Sequence, residues 1–98
     1  MNLQEIWDKH SDGDGDEFLK FDRVQNKMAN RPDIHAFMLL DKLVPGTSDM
    51  VSAAEHDEIW LTVSPEELEK AATEEQIVEL IRCGVRLDSS TDSLAMFV

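Results

Sequence analysis

Two helix starts stand nine residues apart in the second half of the chain, and no single helix can accommodate both. Ser64-Pro65-Glu66-Glu67 offers a capping hydroxyl, a proline at the first helical position and a glutamate able to reach back. Thr73-Glu74-Glu75-Gln76 repeats the device. On one continuous wheel Leu68 would face away from Ile77 and Ile81, so an uninterrupted helix would have to bury two opposite faces. The spacing predicts two helices with a break at Thr73. Gly84 then stands where a helix C-terminus favours a residue free to adopt left-handed backbone.

Around this pair the pattern changes to strands. Glu58-Ile59-Trp60-Leu61-Thr62-Val63 places Ile59, Leu61 and Val63 on one face and Trp60 on the other, either under a helix or open to a partner. Met50 to Ala54 reads as its partner strand, turning at His56-Asp57. Val85-Arg86-Leu87, the polar run from Asp88 to Asp92, and Leu94-Ala95-Met96-Phe97-Val98 read as a closing hairpin whose last residues are built into the sheet.

Ahead of Val44 the periodicity is helical. Asn2 and Glu5 have capping-box spacing for a helix through about His10, which SDGDGD breaks. Phe18, Phe21, Val24 and Met28 fall within a stripe of about 120° and predict a core-facing helix over 17–29. Asn30-Arg31-Pro32 stops it, and 33–43, apolar nearly all round, reads as the central buried helix. The expected architecture is one α+β domain over 1–98. Its helical part, 1–44, packs on a small, mainly antiparallel sheet within the strand-helix-helix-hairpin of 45–98.

Charge narrows the function classes. Asp and Glu number 21 against nine Lys and Arg, a net charge of −12, and 55–79 alone carries nine acids against Lys70. A chain so acidic is not expected to bind nucleic acid directly, because a binder must bring cations to the phosphates. One cysteine, Cys83, cannot close an internal disulfide, which points to a reducing, cytoplasmic setting. No apolar run approaches the ~20 residues of a membrane span, and MNLQEIWDKH lacks the apolar stretch of a secretory signal.

Candidate chemistry is sparse. Asp12-Gly13-Asp14-Gly15-Asp16 resembles the first half of an EF-hand loop, where alternate carboxylates converge on calcium. The pattern then departs, with Glu17 at the sixth position in place of the turning glycine and Arg23 at the twelfth in place of a bidentate glutamate. His10, His35 and His56 lie on separate segments without zinc-site spacing, and His35 is expected as a core histidine bonded to backbone. His56-Asp57 resembles the pair of metal phosphohydrolases, but the further ligands of those enzymes are missing. Cys83 sits at a helix C-terminus, where the dipole disfavours a thiolate. There is no G-x-S-x-G elbow and no glycine-rich phosphate loop. Trp7 and Trp60 are expected mainly in core roles. No enzyme activity, resident metal or other cofactor is expected.

The expectation for function is a non-enzymatic binding module. Glu66, Glu67, Glu69, Glu74, Glu75 and Glu79 would dock on a basic protein surface, as in an inhibitor or nucleic-acid mimic. The general look is of a bacterial or phage accessory protein. The alternative is an assembly subunit, such as a homodimer, that self-associates through 94–98 at a sheet edge. A third reading is a low-affinity calcium module at Asp12, Asp14 and Asp16.

Overall fold

The helix starts and strand alternation resolve into four helices and four strands in a computed structural model that describes residues 3–11, 17–88 and 90–97. Helix α1 (Leu3–Ser11) and a single 3-10 turn (Phe21–Arg23) precede α2 (Pro32–Leu43). A hairpin of β1 (Val51–Glu55) and β2 (Glu58–Leu61) follows, then α3 (Pro65–Ala71), α4 (Glu74–Arg82) and a second hairpin of β3 (Val85–Asp88) and β4 (Ser93–Phe97). The fold is α+β. Its sheet runs in the order β1-β2-β4-β3, and every neighbouring pair is antiparallel.

The break between α3 and α4 falls at Thr73, where the conflict of faces placed it. Thr73 accepts a hydrogen bond from the Gln76 N–H through its hydroxyl (3.3 Å), and its own N–H donates to Gln76 Oε1 (2.8 Å), a complete capping box. Ser64 stands at the N-cap of α3, but its side chain makes no capping bond, so Pro65 and the extended Ser64 backbone set that start. Just past the end of α4, after Cys83, stands Gly84, whose φ of +95° lies in the left-handed region. A Cβ there would stand 2.7 Å from Leu19 Cδ2.

Alternation along the strands separates two sheet faces. Ile59, Leu61, Val85, Leu87, Leu94 and Met96 share the face that joins the core with Leu3, Ile6 and Trp7 of α1, Leu39 and Leu40 of α2, Leu68 of α3, and Ile77, Leu80 and Ile81 of α4. The opposite face carries Glu58, Trp60, Arg86, Asp88 and Phe97 around the fully buried Ala95. There Arg86 pairs with Glu58 and lies 4.1 Å from the centre of the Phe97 ring, so one guanidinium ties β3 to β2 across β4. Trp7 is core, and its indole N–H donates to the Val85 carbonyl (3.1 Å). Trp60 is half-buried on the face away from the core, with its indole N–H on Asp88 Oδ2 (3.0 Å).

Three expectations are corrected. Residues 17–29 are not a helix. Leu19 and Asn26 have φ of +63° and +52°, which a right-handed helix excludes, and the Leu19 N–H donates instead to the Ile81 carbonyl (3.2 Å). The apolar period was real, since Val24 is buried and Phe18 and Phe21 pack on the core, but a loop delivers them and Met28 is exposed. Helix α2 is not buried all round: His35, Ala36, Leu39 and Leu40 face inward, while Ile34 and Met38 are 42% and 45% exposed. Finally, the last strand is not at an edge. β4 is paired on both sides, so the backbone route proposed for self-association through 94–98 is already occupied. The cap at Asn2, the motif Asp12–Asp16 and Val98 lie outside the described residues.

The unequal caps give a test. Thr73→Ala should cost about 1 kcal/mol, the usual loss for a working N-cap, and Ser64→Ala only a few tenths. Urea denaturation of the two variants checks this, and equal losses would contradict the capping assignment.

Candidate functional site

The described polar groups concentrate on one side of α4. Ile77, Leu80 and Ile81 fill its buried stripe, which leaves Glu75, Glu79 and Arg82 along the other side by helical period, with Glu74 at the first position of the helix. That side borders an open cleft of about 990 Å³, also lined by His10, Glu17, His35 and Lys42. Each of three side chains on α4 reaches a different part of the chain.

Glu79 meets His35 of α2, with Oε2 2.8 Å from Nε2. His35 is 1% exposed, and its Nδ1 accepts the Met28 N–H (3.1 Å). A ring nitrogen that accepts holds no proton, so the proton is on Nε2 and is donated to Glu79. The imidazole is therefore neutral and satisfied on both nitrogens. Glu74 holds His10 of α1 at 2.8 Å and Lys9 at 3.5 Å. Arg82 pairs with Glu17, which also takes Arg23 Nη1 at 2.6 Å, and Arg82 Nη1 donates to the Arg23 carbonyl (3.2 Å).

These bonds act on the carboxyls. The Arg82 guanidinium holds Glu17 below its ordinary value, against the opposing effect of burial, with Arg23 adding to the shift. His10 and then Lys9 do the same for Glu74. Asp88 lies well below the usual range, because Ser90 and then the Trp60 indole donate to it. Burial pushes the Cys83 thiol up to about 12, and the charge of Glu79 adds to it. A thiol so raised stays protonated in neutral water and is no nucleophile.

The six glutamates expected to meet a partner divide in two. Glu74 and Glu79 are engaged as described, and Glu69 Oε1 accepts the Leu3 N–H (2.7 Å) at the start of α1. Glu66, Glu67 and Glu75 are exposed and have no partner among the described residues. Of the other candidates, His56 and Asp57 are exposed and form the turn between β1 and β2. Glu17 and Arg23, the sixth and twelfth positions of the calcium-like run, are bonded to each other. Among the described residues no group of three or more His, Cys, Asp or Glu is arranged to hold a metal ion, and no helix is long and apolar enough to cross a membrane. Sequence reasoning did not find the His35–Glu79 and His10–Glu74 pairs. Their members lie 44 and 64 residues apart, and no local pattern signals such a contact.

No family model, curated protein or solved structure matches the chain.

A lowered carboxyl stabilises the fold fully above its unfolded pKa and loses that contribution as pH falls through the folded one. Glu17, Glu74 and Asp88 all have this sign. The urea midpoint should therefore fall on acidification below the ordinary glutamate value of 4.5. Glu17→Gln should be less stable at neutral pH and decline less steeply in acid. Parallel curves for the two proteins would remove Glu17 from this account.

Proposed function

We propose that the chain is a non-enzymatic acidic binding module that docks on a basic protein surface. The observation that supports this most is the division of the glutamates. Glu69, Glu74 and Glu79 bond to other parts of the fold, whereas Glu66, Glu67 and Glu75 are exposed and make no side-chain bond to another described residue. Unpaired like charges add repulsion, and solvated surface carboxylates return little stability. They do have a use in association. A negative surface steers a positive partner and raises the encounter rate toward ~10⁸ M⁻¹s⁻¹ at low salt.

The three carboxylates open two successive helices, Glu66 and Glu67 in the first turn of α3 and Glu75 in that of α4. The positive end of each helix dipole favours them there, so the charge is held at low cost until a partner arrives. A partner that normally takes phosphates presents the matching Lys and Arg side chains. Occupying that surface would make the module an inhibitor or nucleic-acid mimic. The protonated thiol of Cys83 and the fully engaged ring of His35 support a role without covalent or acid–base chemistry.

The test is the triple reversal Glu66→Lys, Glu67→Lys and Glu75→Lys. A basic protein captured at about 50 mM salt should be released at about 500 mM, where screening is several-fold stronger. The reversed variant should lose that protein at both salts while keeping its circular dichroism spectrum. Capture that is insensitive to both the reversal and salt would reject the reading.

A further inference from the structure

The two edges of the sheet differ. β3 runs beside α1, whose Trp7 donates to the Val85 carbonyl. Among the described residues β1 has no such cover, and all five of its own residues are exposed. Its turn to β2 has two residues and closes on the pair Glu55/Glu58, which in such a hairpin exchanges both backbone hydrogen bonds. Ala54, opposite Ile59, is then the alternate position, and its N–H and C=O turn outward to the free edge. The bulge between Val51 and Ala53 limits the regular ladder to Ala53–Glu55. Neither Lys nor Pro blunts this strand, and Ser52, Ala53 and Ala54 are too small to obstruct an incoming backbone.

Charge selects the occupant. From Leu43 to Glu69 the chain has no Lys or Arg and seven acids. Three of these, Asp49, Glu55 and Asp57, flank β1 or its turn, are exposed and have no side-chain partner among the described residues. A second copy would bring the same carboxylates to the same edge, on a chain of net charge −12. An extended six-residue peptide covers about 20 Å, more than the five residues of β1 that lie between Asp49 and Asp57. We infer that the β1 edge accepts an extended basic segment of a partner protein as a fifth strand, with Lys or Arg toward both ends of about six residues. Main-chain bonds at Ala54 would set its register, and the flanking carboxylates its charge.

This inference rests on the reading of the chain as a binder of basic proteins, and its test separates the two. The probe is a hexapeptide of alternating lysine and valine. The controls are a lysine–valine hexapeptide with every backbone amide N-methylated, of equal charge but without ladder N–H groups, and a glutamate–valine hexapeptide. In the wild-type protein, the lysine–valine peptide should slow hydrogen exchange of the Ala54 amide at least about tenfold at saturation. Neither control should do so. Ala54→Pro, which removes the outward N–H, should weaken lysine–valine binding at least about tenfold, followed by Trp60 fluorescence. Equal binding of both lysine peptides with Ala54 exchange unchanged would overturn the edge inference and leave charge-driven docking standing. Protection of Ala54 by the glutamate–valine peptide, or by self-association seen in sedimentation, would overturn it as well. The wild-type exchange data decide the matter even where the proline variant fails to fold.

Discussion

Among the described residues, the core encloses one polar side chain, the imidazole of His35. Burying it without partners would cost several kcal/mol, so both nitrogens need a bond and each bond fixes a piece of chain. Nδ1 holds the Met28 N–H, which anchors the end of the irregular segment before α2. Nε2 holds Glu79, which joins α2 to α4. The Phe21 ring meets the imidazole edge-on at 5.8 Å, so the same group also packs the 3-10 turn. Three segments without regular pairing to one another are thus set by one ring. A carboxylate bonded to a buried donor is in turn restrained, which keeps Glu79 on this side of α4 and out of solvent chemistry.

Helix α4 completes what His35 begins. Its buried stripe supplies Ile77, Leu80 and Ile81, while its polar residues reach α1 through Glu74, α2 through Glu79 and the 17–23 segment through Arg82. Formal charge is therefore a poor guide to charge available at the surface. Carboxylates that look alike in sequence differ in what they do: Glu69 caps the first described N–H of α1, and Glu75, six residues on, meets water. The proposed docking role rests on the second kind alone.

Much of the second half of the chain was legible in sequence because its signals are local. A capping box, a two-residue turn and strict alternation lie within a few residues of one another, and the structure follows all three at Thr73, His56-Asp57 and Ile59–Leu61. The stretch 17–29 was misread for the opposite reason. Phe18, Phe21 and Val24 have helical spacing, but Glu17 is held by Arg82 and the Leu19 amide by Ile81, and these long-range bonds outweigh a weak local preference. The candidate site was legible in composition and not in geometry. The acidic residues were visible, yet which of them are free depends on Leu3, His10 and His35, far off in sequence. Strand order was likewise hidden, since hairpins show which strands are joined and not which one inserts between others.

The place of β4 has a consequence for biosynthesis. It supplies the shared neighbour of β2 and β3, although 31 residues separate the end of β2 from its first residue, numbers 61 and 93. During vectorial synthesis the β1–β2 hairpin emerges first as an isolated two-stranded ribbon, which is marginal in water. The helices that follow find half a sheet to pack on, and Leu94 and Met96, central to the hydrophobic cluster, are still missing. The nascent chain thus has no complete core to close around, and its cooperative transition must wait until residues 93–97 are free to insert. Until then the inner edge of β2 is an unpaired strand in a partly exposed apolar setting. Like charges on the surrounding sequence repel one another, which opposes contact between two such exposed edges.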